Sequence, residues 1–382
     1  MYRKLLVIAP IFTLIVVVAG AYTRLTDSGL GCPDWPGCYG QWTAPDTAAE
    51  VARAEQRFPD APIDSFKGWV EMIHRYLAGT LGLIILAIAA SAWASRLRKP
   101  SNNADTVRDA HWLATGVLVL VAGQAMLGMF TVTLMLKPAI VTSHLLGGML
   151  ILAVLFRMAV GEFVDRGAVA IERAARLAPW AAGGVALVLG QIMLGGWVST
   201  NYAALVCLDF PTCHGSLVPP MDFEHGFHVL RELGEAPDGS PLSHEAMTAI
   251  QWTHRVGALV ITAYLGTLGV RALRVPGVRG AALGLLVLLA AQVGIGVLNV
   301  AWLLPLWLAT LHNLGAALLL CAVVMLRFMV SRPARSASNA RASYGAGGYG
   351  AAISDASAHA SAGVTATGAA SSTRVPRLPV EG

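Results

Sequence analysis

Eight stretches of the chain are almost wholly apolar: residues 5–22, 69–94, 111–132, 138–159, 177–198, 247–270, 280–300 and 304–329. Within each, the apolar positions show neither the alternation of a half-buried strand nor the single stripe of a surface helix. They read as helices that are apolar all round. A membrane crossing takes about 20 such residues, so the pattern predicts eight transmembrane helices. The first stretch follows Arg3 and Lys4 and ends in Ala19-Gly20-Ala21, which mimics a secretory leader with its cleavage site. Its apolar run exceeds the roughly 7–15 residues of a leader core, and it has a counterpart later in the chain. It is read as a span.

Two long polar segments, 23–68 and 199–246, interrupt the apolar series, and the other connections are short. From Arg332 onward the chain is mostly Ser, Ala and Gly, which predicts a disordered tail. Composition agrees with the hydropathy pattern. The 382 residues are 55% hydrophobic and only 13% charged, with mean hydropathy +0.61, against about 25% charged in a soluble domain. That excludes a soluble enzyme, a disordered chain and a nucleic-acid binder.

The net charge of +5 is unevenly placed. Short connections carry Arg96, Arg98, Lys99 and Arg108, then Arg166, Arg173 and Arg176, then Arg271, Arg274 and Arg279. The positive-inside rule puts these, with Arg3 and Lys4, in the cytoplasm. The 23–68 loop has seven acidic residues against four basic, and the 199–246 loop seven against one. Both long loops are therefore expected on the outer face of the cell membrane, with both termini cytoplasmic.

The chain also repeats itself. Gly-Cys-Pro-Asp-Trp-Pro-Gly-Cys at 31–38 returns as Val-Cys-Leu-Asp-Phe-Pro-Thr-Cys at 206–213. Glu71-Met-Ile-His74-Arg75 returns as Gln251-Trp-Thr-His254-Arg255, and Thr142-Ser-His144-Leu-Leu-Gly147 as Thr310-Leu-His312-Asn-Leu-Gly315. Gln124 and Gln292 each precede the second histidine of their half by 20 residues. An even number of helices per repeat keeps both halves in one orientation. The expected fold is an all-α integral membrane protein: eight transmembrane helices as two tandem four-helix bundles related by a pseudo-two-fold axis along the membrane normal. Residues 1–160 form the N-terminal unit, 161–176 a cytoplasmic linker, 177–330 the C-terminal unit and 331–382 the disordered cytoplasmic tail.

His74, His144, His254 and His312 lie near the outer ends of the second and fourth helices of their units. Ionisable groups inside a span are costly and usually functional. One such histidine would read as a hydrogen bond between helices; four in two matched pairs are what two bis-histidine haem sites require. Proton relay or metal transport would call for more interior carboxylates. Cys32 with Cys38 and Cys207 with Cys213 are spaced C-x5-C on the oxidising face, as loop-local disulfides forming a lid over each site or as redox-active pairs. A zinc site from Cys207, Cys213 and His214 is weakened because the first loop has no matching histidine. His214, His225, His228 and His244 read as solvated loop residues, His111 opens the third span on the cytoplasmic side, and Cys321 reads as a small core residue.

The halves differ at one telling position. Three residues before the histidine, the first unit has Glu71 and the second Gln251, each sharing a helix face with its histidine. Glu71 is the only carboxylate well within a span, and a desolvated carboxylate can exchange a proton near neutrality where glutamine cannot. The alternative is an ion pair with Arg75. The asymmetry points to a catalytic first unit and an electron-holding second unit. Arg75 and Arg255, at the outer rim, suit haem propionates or surface anchoring.

In combination, the eight spans, Glu-x-x-His-Arg in the second, histidines in the fourth, sixth and eighth, and cysteine pairs in both long loops resemble the haem A synthase (CtaA) family. The resemblance covers residues 1 to about 330. It implies oxidation of the C8 methyl of haem O to a formyl group, giving haem A for terminal oxidases. It also implies a haem b cofactor on His254 and His312, with the substrate haem between His74 and His144 and Glu71 beside its reacting edge. Some members lack the first-loop cysteines; this chain resembles those whose first-loop pair affects haem handling. Haem O and membrane lipid are then the expected partners, with haem O synthase, an electron-transfer protein and a second copy of the chain as candidate associates. The rival readings are a diheme b-type cytochrome without haem modification, and a transporter using the histidines as transient ligands.

Overall fold

A computed structural model describes residues 1–98, 110–164 and 174–331. Lys99, Arg108, Arg166, Arg173, most of the expected linker and nearly all of the expected tail lie outside the described residues. The rest belongs to one compact unit, Met1–Arg332.

Among the described residues eight helices are long and apolar enough to cross a membrane, one for each apolar stretch. In chain order they are α1 (Tyr2–Leu25), α3 (Ser65–Arg98), α4 (Ala110–Thr133), α5 (Pro138–Phe163), α6 (Ala178–Thr200), α8 (His244–Leu273), α9 (Arg279–Ala301) and α10 (Leu306–Val330). Two short loop helices, α2 (Ala48–Arg57) and α7 (Phe223–Gly226), were not expected from hydropathy. They are built from polar residues and local caps. Thr47 and Glu50 form a reciprocal capping box at the start of α2, and the Asp222 side chain accepts from the His225 N–H at α7. Both α3 and α8 begin several residues before their apolar windows. Hydropathy marks the part in lipid, whereas the helix runs on into the loop layer, with Ser243 capping α8 by accepting from the Ala246 N–H at 3.1 Å.

Each half closes in the same cyclic order: α1–α3–α4–α5 and back to α1, then α6–α8–α9–α10 and back to α6. The halves meet where α5 packs on α6 and α10, and where α1 packs on α10. The main apolar cluster crosses that seam, running from Met149 and Leu152 of α5 through Val188, Leu265 and Leu285 to Leu320 and Val323 of α10. At the loop end, Arg24 of α1 donates to the Ser199 carbonyl at 2.7 Å and to Tyr202 Oη at 3.1 Å. The hydroxyls of Thr142 and Thr200 lie 3.3 Å apart across the seam.

The tight turns of the two halves are also alike. Helix α4 ends through Met135 and Leu136, and α9 through Leu303 and Leu304, all with left-handed φ between 50° and 59°. In each, the second residue's N–H reaches back five residues, Leu136 to the Thr131 carbonyl at 2.9 Å and Leu304 to the Asn299 carbonyl at 2.7 Å. This is how a helix satisfies its last carbonyls before stopping. A proline follows directly in the second turn and one residue later in the first, pre-set for the next helix start. These turns place the first residues of α5 and α10, and hence His144 and His312, at fixed distances below the loop layer.

Candidate functional site

All four predicted histidines lie within the first three turns of α3, α5, α8 and α10, at the end where the long loops gather. In each half the two histidines stand on helices opposite each other in the four-helix ring, His74 on α3 with His144 on α5 and His254 on α8 with His312 on α10. The structure therefore brings the four together in the expected pairs.

Each imidazole rests against a glycine of the preceding span. A Cβ would stand 2.8 Å from His74 Cε1 if built on Gly20, and 3.2 Å from His144 Cε1 on Gly128. On Gly195 and Gly296 it would stand 3.1 Å from Cε1 of His254 and His312. A side chain at any of these four positions would press on the ring, so the missing Cβ fixes where the ring lies. The Nδ1 atoms of His74, His144 and His312 are buried without a hydrogen-bond partner among the described residues. An unpartnered buried ring nitrogen is costly in lipid, and such rings suit an axial ligand of a haem iron. The donor set, two imidazoles per site, fits the haem expected there. Among the described residues no group of three His, Cys, Asp or Glu side chains could hold a bare metal ion.

Glu71 is buried and fully engaged on the loop side. Its Oε1 accepts from Arg75 Nη2 at 2.5 Å and its Oε2 from the Cys32 N–H at 2.9 Å. Arg75 in turn donates from Nη1 to the carbonyls of Asp34 at 3.0 Å, Pro36 at 3.2 Å and Gly37 at 2.5 Å. In the second half Arg255 does the same, donating to the carbonyls of Asp209 and Thr212, both at 2.8 Å, and of Cys207 at 2.7 Å. Each arginine thus clamps its loop to the helix that carries the histidine. Arg255 keeps one buried donor, Nε, without a partner among the described residues. Gln251, in the place of Glu71, is buried with its Oε1 unpaired.

The clamped loops share one construction. Cys32 is bonded to Cys38 and Cys207 to Cys213, which leaves no thiolate for a zinc site with His214. After each second cysteine comes a left-handed residue, Tyr39 or His214, whose N–H donates to an aspartate: to Asp34 Oδ1 at 2.6 Å and to Asp209 Oδ1 at 2.8 Å. Asp209 also accepts from the Gly215 N–H and the Thr212 hydroxyl, and these bonds hold its carboxyl well below the usual range. His111 is buried against Trp93 at the opposite end, and Cys321 is buried in α10 with its thiol free. His214 and His244 stack in the outer loop, and His225 pairs with Asp222 at 2.6 Å.

Gln191 is a site residue that the repeat comparison overlooks. Its Nε2 lies 3.1 Å from His254 Nδ1 and donates to the His254 carbonyl at 2.9 Å. The spacing that finds it is Gln-x3-Gly, shared by Gln124-Gly128, Gln191-Gly195 and Gln292-Gly296.

An all-helical membrane protein with interior histidines in two matched pairs, each under an arginine-clamped disulfide loop, is the class that fold and site define. Residues 3–324 match the cytochrome oxidase assembly protein family, COX15-CtaA, and the chain belongs to that family. It is 39% identical over 334 residues to the heme A synthase of Shewanella oneidensis, covering 87% of this chain and 98% of that protein. It is 31% identical over 353 residues to the heme A synthase of Methylobacterium radiotolerans, covering 85% and 88%. With that of Caulobacter sp. strain K31 the identity is 29% over 350 residues, covering 86% and 95%.

Proposed function

We propose that the protein is a haem A synthase, an oxidoreductase that converts the C8 methyl of haem O to a formyl group. The observation that carries this reading is a chemical difference between two sites that share their histidine pairs, arginine clamps and disulfide loops. Below the first loop, a carboxylate stands one turn before the histidine; below the second, an amide does. In this reading His74 and His144 hold the substrate haem in the N-terminal unit, and His254 and His312 hold haem b in the C-terminal unit. A pseudo-two-fold axis along the membrane normal relates the units. The exchange of α5–α6 for α1–α10 at the seam, with α5 meeting α10, supports that relation.

Bound haem b supplies one-electron redox capacity at the second site. The chain's own residues do the rest. The imidazoles orient the substrate ring, and with both engaged they leave its iron no open position. The oxygen atom of the formyl group is therefore assigned to water: methyl and water give formyl with loss of four protons and four electrons, and the electrons would pass one at a time through the second unit to an external electron acceptor. Glu71 is the proton acceptor. A carboxylate offers about four acceptor sites, and Arg75 and Cys32 occupy one on each oxygen, so capacity remains on the carboxylate. The unpaired Nε of Arg255 is available to a propionate; Arg75 takes the matching place in the first unit. The two loops and their disulfides face outward, with both chain ends cytoplasmic. Haem O synthase and an electron-transfer partner are candidate associates.

Two histidine pairs, each ring set against a glycine, favour one other reading, a diheme cytochrome that only carries electrons. Chromatography of haems extracted from purified protein separates the two. Haem B together with haem O, haem A or a hydroxylated intermediate supports the synthase, whereas two equivalents of haem B alone support the cytochrome. Within the synthase, His254→Ala or His312→Ala should lose haem b, and His74→Ala or His144→Ala should abolish turnover with most haem b retained. Equal loss of haem b from both pairs overturns the division of labour.

A further inference from the structure

Three of the four histidine settings contain a device that the fourth lacks. In α4, α6 and α9 a glutamine stands one turn before the glycine that touches the ring, and its amide ties the two helices together. Gln124 Nε2 donates to the backbone carbonyl of His144 at 2.5 Å, Gln191 Nε2 to that of His254 at 2.9 Å and Gln292 Nε2 to that of His312 at 3.0 Å. The bond grips the main chain at the histidine, so it holds the height and rotation of the whole helix there.

Room for each amide comes from a glycine three residues after the histidine. A Cβ would lie 2.1 Å from Gln124 Oε1 on Gly147, 2.3 Å from Gln191 Oε1 on Gly257 and 2.1 Å from Gln292 Oε1 on Gly315. Brace and socket therefore occur together. The α1–α3 pair has neither: Val16 stands in the glutamine's place and Leu77 in the glycine's. Both join the apolar cluster of the first unit. The contact that α1 offers His74 is that of Gly20 with its ring, whose Nδ1 is buried without a partner among the described residues. A contact to the ring can break with a rotamer change, whereas a bond to the main chain resists it.

We infer that His74 is the yielding ligand of the first site, through which a haem enters and leaves while His144 keeps hold. The glutamines Gln124, Gln191 and Gln292 are positioning residues that deny such motion to the other three. This rests on the assignment of haem to both histidine pairs. It follows the demands of the two sites: a cofactor must stay, but a substrate and its product must come and go. The single unbraced histidine belongs to the substrate pair.

The test uses full-length protein in nanodiscs, loaded with haem O, reduced, and exposed to carbon monoxide, which binds only where an axial ligand lets go. Haem in the first unit should form the carbonyl adduct and haem b should not. Val16→Gln with Leu77→Gly, which transplants brace and socket, should slow adduct formation at least about fivefold, the weight of one net hydrogen bond. The reciprocal Gln191→Val with Gly257→Leu should let haem b take up carbon monoxide. His74→Ala should keep first-site haem in a high-spin state, and His144→Ala should lose it. If the first transplant fails to fold, judged by haem b content, the reciprocal variant decides. Equal carbon monoxide binding at both sites, or no change in the folded variants, overturns the inference alone. Absence of any low-spin bis-imidazole haem from the first unit of the unaltered protein overturns the haem assignment, and the inference with it.

Discussion

At the scale of single residues, Glu71 has two tasks that a conservative change separates. Toward the loop it accepts from the Cys32 N–H and pairs with Arg75; toward the substrate it is assigned a proton. Glu71→Gln keeps the acceptor for Cys32 and produces the group already tolerated at Gln251, so folding and haem b content should survive. General-base catalysis of this kind is worth about 10²–10⁴-fold. Haem A should fall by that order while haem O or a partly oxidised product accumulates, as read by haem chromatography. Near-normal haem A would leave Glu71 as a loop tether only. Asp209 offers a pH-dependent check in the other loop. Its folded-state carboxyl is held low by three donors, so its contribution is complete above the unfolded value of about 3.9. That contribution is lost as pH falls toward the depressed folded value. Local opening at the His214 and Gly215 amides, from hydrogen exchange corrected for intrinsic rates, should increase as pH drops below about 4. Asp209→Asn should remove that dependence, and an unchanged slope would count against the carboxylate's role.

At the scale of elements, the spans were legible because lipid imposes one rule over about 20 residues, and local exceptions average out. The histidine pairs were legible for a different reason: two halves with one register show which residues recur together. Three features were hidden. The ends of α3 and α8 extend past the apolar windows because helix and hydropathy stop for separate reasons. The arginine clamps depend on the path of a loop, and neither spacing nor composition records where Asp34 or Thr212 turns its carbonyl. The sequence allows Arg75 and Arg255 to serve propionates or surface anchoring, and the structure shows them donating to loop carbonyls. Gln191 escaped because a long loop separates it from His254, whereas Gln124 and Gln292 each lie 20 residues from their histidines. Its short-range signature, a glutamine one turn before a glycine, is plain once the ring contact at Gly195 is known.

At the scale of the whole molecule, the main apolar cluster crosses the seam while a second fills the first half, and α10 touches helices of both halves. It packs on α6 and α9 of its own half and on α1 and α5 of the other. Ending the chain before Leu306 should therefore harm more than the second site, which loses His312. Limited proteolysis of that truncated protein should cut within residues 1–164 at sites protected in the full chain. Unchanged protection there would mean that the first half stands alone. The position of α10 also has a meaning in time. A ribosome delivers this helix last of the eight, after every other segment has entered the bilayer. Until then α1 and α5 lack that partner, which is made some 140 residues after the first half's last helix ends. The final span to be made thus closes the ring of the second half and adds its packing on α1 and α5 of the first.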